Sequence, residues 1–108
     1  MATQGATIRA LGRDAFSITW ETLENGDDGD WVPFSGYHDK TVTIEGTATT
    51  FALQGTNDPA NANPRTLKDV DGVTLINAAG IFTIKENPLK IRPLLTAGSA
   101  VTVVIVAR

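Results

Sequence analysis

Three groups of residues in this chain have types that could do chemistry. The first is the run Asn-Gly-Asp-Asp-Gly-Asp at 25–30, in which Asp27, Asp28 and Asp30 offer carboxylate oxygens of the kind that ligate Ca²⁺. The spacing does not fit an EF-hand loop, and no glutamate closes it at the twelfth position. Asn, Asp and Gly are also the ordinary turn formers, so a solvated turn is the favoured reading. The second group is His38, the only histidine, standing beside Asp39. Neighbours on a strand point to opposite faces and make a poor dyad. The serines are Ser17, Ser35 and Ser99, none in a Gly-x-Ser-x-Gly elbow, so a triad would need convergence in space. The third group is aromatic. Trp20 and Trp31 flank the acidic run, with Phe34 and Tyr37 following, which suits either a platform for a sugar or peptide or, as is commoner, core and rim packing. On this reading the chain is no enzyme, and it has no catalytic, cofactor-binding or metal-binding residue.

The elements that must hold these groups read as strands. Alternating or apolar β-type runs fall at 6–11, 15–23, 31–37, 41–45, 49–54, 73–77, 80–85, 89–95 and 100–107, with turn residues between them. Val42 and Ile44 share one face, as do Phe51 and Leu53, and these two runs are expected to form a hairpin around Gly46 and Thr47. Ile44, Phe51, Leu53, Leu75, Phe82, Ile84, Ile91, Val103 and Ile105 are expected to face inward. Short strands without helical crossovers predict an all-β fold, an antiparallel two-sheet sandwich of jelly-roll type, with a closed Greek-key barrel as the alternative. One domain spans residues 1–108, with 1–5 as a candidate flexible N-terminal arm.

The last strand is apolar on both faces. Val101, Val103 and Ile105 point one way and fill the core; Thr102, Val104 and Val106 point the other. The second set calls for another layer, a loop or a partner subunit. We therefore take Thr102, Val104 and Val106 as a candidate oligomer or partner interface and expect a dimer or trimer.

Composition narrows the function classes. Nine Lys plus Arg stand against 12 Asp plus Glu, so there is no basic field for nucleic acid or anionic lipid. Arg65, Lys68, Lys85, Lys90, Arg92 and Arg108 are scattered and read as surface solubility and edge protection. With no cysteine, stability rests on packing. The N-terminus lacks a basic region followed by an apolar run, and no apolar stretch is long enough to span a bilayer, which predicts a soluble protein without a secretory signal.

From residue 42 onward the chain resembles a known group. The succession Val-Thr-Ile-Glu-Gly-Thr (42–47), Phe-Ala-Leu-Gln-Gly-Thr-Asn-Asp (51–58), Thr-Leu-Lys-Asp-Val-Asp-Gly (66–72), Ala-Ala-Gly-Ile-Phe-Thr-Ile-Lys-Glu-Asn-Pro (78–88), Ile-Arg-Pro (91–93) and the closing Val-Thr-Val-Val-Ile-Val is similar to small structural proteins of tailed bacteriophages, above all head decoration, or cement, proteins. The resemblance implies a β-sandwich on the outer surface of the phage head that oligomerises, binds a major capsid protein, stabilises the shell and needs no cofactor. A tail or baseplate protein would share these features. Leu-Gln-Gly-Thr-Asn-Asp (53–58) also resembles a hairpin of discoidin-type carbohydrate-binding domains, although the tryptophan that commonly follows it there is missing here.

Overall fold

The computed structural model describes residues 2–76 and 79–108, without the side chains of Ala48 and Thr49. Its described residues contain strands and turns and no helix, so the all-β expectation holds. The strands are β1 (Thr3–Gln4), β2 (Thr7–Ala10), β3 (Phe16–Leu23), β4 (Asp28–Gly29), β5 (Val32–Pro33), β6 (Lys40–Thr56), β7 (Arg65–Thr66), β8 (Gly80–Thr83) and β9 (Lys90–Ala107).

Two of them organise the rest. β6 has 17 residues and β9 has 18, and they pair antiparallel from Lys40 opposite Ala107 to Thr56 opposite Lys90. The hairpin expected at Gly46 and Thr47 is therefore absent, and both of its runs belong to one bent strand. The register of β6 slips between Glu45 and Thr47 and again on either side of Thr50, which is where the pair bends. Gly46 has φ +104° and Ala100, across from it, has φ +52°. A Cβ at Gly46 would stand 2.2 Å from the Ala100 carbonyl oxygen, so only glycine lets the two backbones meet this closely. The positive φ that the sequence reserves for a tight turn is used instead to turn a corner within a continuous strand.

On one side of the corner the strand order is β2-β3-β9-β6-β8, using residues 101–107 of β9 and 40–45 of β6. On the other side, residues 90–95 of β9 are flanked by β4 and β5, and residues 50–56 of β6 by β7. All nine strands belong to a single curled sheet rather than two separate ones. It is mixed, because β1 runs parallel to β4. Residues 2–4, expected as an arm, are laid along the acidic turn. The Ala2 and Asp28 backbones bond to each other, Asp28 N–H donating to Ala2 O at 3.0 Å.

The curl closes over one core. Ile18, Trp20, Leu23, Val42, Ile44, Phe51, Leu53, Ile91, Leu95, Val101, Val103 and Ile105 are among its buried residues. Trp20 is fully enclosed, and its Nε1 donates to Asp30 O at 3.1 Å. Gly29 lies so close beneath that indole that a Cβ would be 2.5 Å from Trp20 Cδ1 and 2.6 Å from Pro93 Cδ. Eight of the nine expected core residues are buried; Phe82 is only half-buried, because β8 pairs with β6 alone and leaves its side chain at the rim. The strand expected at 31–37 shrinks to β5, and Tyr37 N–H closes a turn onto Phe34 O at 3.1 Å. The run at 73–77 contributes isolated bridges at Thr74 and Ile76, and its Asn77 lies outside the described residues.

Candidate interaction surface

Register fixes which side chains share the outer face beyond the corner. Residues directly paired across strands lie on the same face. Val104 is paired with Thr19 and Thr43, which continue to Thr7 on β2 and Ile81 on β8. Val106 is paired with Ser17 and Thr41, continuing to Arg9 and Thr83. The result is two five-residue rows across the sheet, nearly all β-branched or hydroxyl-bearing, with Arg9 the one charge in them. β-branched side chains favour a pleated, half-buried surface, so the same residues that build the strands also leave the middle of the face without charge.

Val104 and Val106 are half-buried. Their position explains this: β9 is the central strand here, with β3 and β6 on its two sides, so Val104 stands between Thr19 and Thr43 and Val106 between Ser17 and Thr41. Ile81, at the open edge, is 74% exposed. Thr102 differs from the two valines. Its Oγ1 accepts the Thr22 N–H at 3.3 Å, where β3 bulges and Thr22 adopts φ +54°, so its hydroxyl is engaged in shaping the sheet. The threonines at 7, 19, 41, 43 and 83 were not singled out from sequence, although the alternation of Thr41, Val42, Thr43 and Ile44 carries the signal that Thr41 and Thr43 face outward.

The tryptophans lie beside the acidic turn, Trp20 bonded to Asp30 O and Trp31 joined to Asp28 through Arg92, whereas His38 and the serines lie on separate elements. In the acidic turn the Asp27 and Asp28 carboxylates each have their own partners. Asp27, 6% exposed, accepts the Glu24 N–H at 2.9 Å, the Ala2 N–H at 3.0 Å and Gln4 Nε2 at 3.2 Å. The Glu24 N–H is the main reason its carboxyl sits below the ordinary value of 3.8, with Gln4 and Ala2 adding to the effect and desolvation opposing it. Asp28 accepts Thr3 Oγ1 at 2.7 Å and pairs with Arg92 at 3.3 Å. Among the described residues no three His, Cys, Asp or Glu side chains converge in a metal-binding group. His38 is exposed between β5 and β6, while Ser17 lies on β3, Ser35 in the turn after β5 and Ser99 at the bend of β9.

The two tryptophans part company. Trp20 is core, whereas Trp31 is half-buried under Arg92, whose guanidinium carbon lies 4.6 Å from the ring centroid. Arg92 Nε also donates to Gln54 Oε1 at 3.0 Å. One more charged group escaped the sequence reading. Lys40 begins β6 with its side chain turned inward and 1% exposed, donating to Tyr37 O at 2.9 Å and to Asn87 Oδ1. Desolvation holds its ammonium below the ordinary 10.5, with Asp39 opposing.

The curled sheet is similar to cupin and other double-stranded β-helix structures. A cupin domain from Bordetella pertussis Tohama I superimposes with a TM-score of 0.52 at 16% identity, covering 100% of this chain and 98% of that one. The SPBc2 prophage-derived protein YomS gives 0.61 at 11% identity, over 93% of this chain and 100% of that one. An RmlC-like cupin from Desulfovibrio desulfuricans gives 0.51 at 6% identity, over 94% and 79%. At these identities the likeness is one of fold alone. No family model and no curated protein matches the chain.

Proposed function

We propose that this chain is a non-enzymatic structural protein of a phage virion, a head decoration protein that binds a major capsid protein as a dimer or trimer and stabilises the shell. The observation that carries the reading is the contrast between a filled interior and a smooth outer face. Side chains such as Trp20, Leu23, Ile105 and Lys40 occupy the space inside the curl, and function in small jelly rolls of this kind moves to the surface. In this reading the curl is a two-layered jelly-roll sandwich bent at Gly46 and Ala100. The rows through Val104 and Val106 are the surface offered to a partner. The likeness to a prophage-derived protein and the resemblance from residue 42 onward support the same choice. A net charge of −3 adds repulsion from packaged DNA, which favours the outside of the head.

A second copy covering Val104 and Val106 would contribute about 1 kcal/mol per side chain, roughly half the value for full burial, since each is already half-covered. Sedimentation equilibrium at micromolar concentration is expected to give two or three chains, and Val104→Asp a folded single chain. Purified protein is expected to bind expanded phage heads that lack it and to raise the temperature at which they release DNA. Location at the tail tip by labelling would instead assign it to the tail or baseplate. A carbohydrate-binding module using its aromatic residues would have to work through Trp31, since Trp20 is enclosed.

A further inference from the structure

Away from the outer face, the loop after β6 and the segment before β9 enclose an open cleft of about 530 Å³. Its floor is apolar, built from Leu67 and Pro88, both buried. Its walls are polar, and Asn57, Asn87, Asp58 and Glu86 are each partly engaged by the protein itself. Asn57 Oδ1 accepts the Leu89 N–H at 2.9 Å, and Asn87 Oδ1 accepts from the Lys40 ammonium. Both donors can only address the amide oxygen, so the orientation of each amide is fixed and its Nδ2 hydrogens are left for the cleft. Asp58 Oδ1 accepts the Ala60 N–H at 2.8 Å and Glu86 Oε1 the Lys68 N–H at 2.7 Å, leaving one carboxylate oxygen of each. Among the described residues the Arg65 guanidinium bonds only the carbonyl of Pro64, at 3.2 Å.

The loop wall is held firmly. Thr56 Oγ1 donates to Ala62 O at 2.7 Å, and Lys90 Nζ ties Pro59 O at 2.9 Å and Asn61 Oδ1 at 2.8 Å. Asn61 and Asn63 take φ +64° and +54°, the conformation Asn tolerates better than most residues, and they turn the chain over the cleft.

The geometry points to a binding site for a neutral saccharide, the terminal sugar of a glycan. Amide and guanidinium donors and carboxylate acceptors line the same cleft. Vicinal hydroxyls, each a donor and an acceptor, can answer both kinds of group, and the Leu67 and Pro88 floor suits a sugar's C–H face. Two carboxylates against one guanidinium disfavour a phosphate or other anion. The site goes beyond the virion role and shares no residue with the rows around Val104, so each reading can fail alone.

The test is an NMR titration of ¹⁵N-labelled protein with D-glucose, D-galactose, D-mannose and N-acetylglucosamine, each to about 50 mM, above the roughly millimolar Kd that a few net hydrogen bonds give. Expected are saturable shifts of the Asn57 and Asn87 side-chain amides with at least one sugar. They should weaken about tenfold or more in Arg65→Ala, which removes a side chain bonded only to its own neighbour and leaves the loop tethers intact. Val104→Asp is expected to leave them unchanged. The proposal is overturned if no sugar shifts these amides saturably, if Arg65→Ala binds as well as the parent chain, or if the shifts fall on the Trp31 indole instead.

Discussion

The two sides of the corner in β6 and β9 are built from the same two strands, yet they differ in almost every other respect. Beyond the corner, residues 101–107 and 40–45 lie in a ladder with β2, β3 and β8, each at least four residues long. Its outer face is mostly threonine and valine. Before the corner, residues 90–95 and 50–56 are flanked by β4, β5 and β7, each only two residues long, and loops supply the rest of the cover. There the outer face carries the cluster of Arg92, Asp28, Gln54 and Trp31, and the polar cleft opens beside it. A long ladder satisfies its backbone groups by itself and leaves its side chains free to be bland. Short flanking strands hand that task to side chains such as Asp27 and Asn57, and this concentrates polar groups with fixed orientation on one side of the molecule.

Blocking the corner should do the greatest damage. Gly46→Val should cost about 3 kcal/mol or more in urea unfolding, from a β-branched residue at positive φ and overlap with Ala100 O. Next is the core that both sides share. Phe51→Ala should cost about 3–5 kcal/mol, while Phe82→Ala at the rim of β8 should cost about 1–2 kcal/mol, so equal losses would show that β8 packs more deeply than described.

Lys40 makes the stability of the whole fold pH-dependent. Its folded pKa is depressed, so between that value and 10.5 the unfolded chain binds more protons and stability rises with pH. Melting temperatures in the alkaline range should show this rise in the parent chain relative to Lys40→Met, in which the difference disappears. The surface cluster should matter less: Arg92→Ala is expected to cost about 1 kcal/mol, the combined size of a partly exposed ion pair and a cation–π contact. The smallest change is local. Asp27 contributes stability that is present above 3.8 and lost as pH falls through its lower folded pKa. Hydrogen exchange at the Glu24 and Asp28 amides should accelerate over that acid window, and in Asp27→Asn it should be fast and pH-independent once intrinsic rates are removed.

By itself the sequence determined the strand-rich class, most of the inward faces and the two-sided apolarity of residues 100–107. These follow from a period-two alternation that any local pairing must respect, which is why Phe51, Leu53, Val103 and Ile105 are buried as expected. The face carrying Val104 and Val106 was legible for the same reason, but its width was not, because Thr7, Thr19, Thr43 and Ile81 join it only through strand pairing across the chain. Tertiary structure alone decided that Gly46 bends a strand instead of ending one, since a positive φ fits both and only the approach of Ala100 selects between them. It also decided that residues 3–4 become a parallel strand on the Asp27 carboxylate, and that Asn57, Asp58, Arg65, Glu86 and Asn87 share a cleft. Those residues stand up to 30 positions apart in the chain, and no periodicity links loops that meet only because the sheet curls.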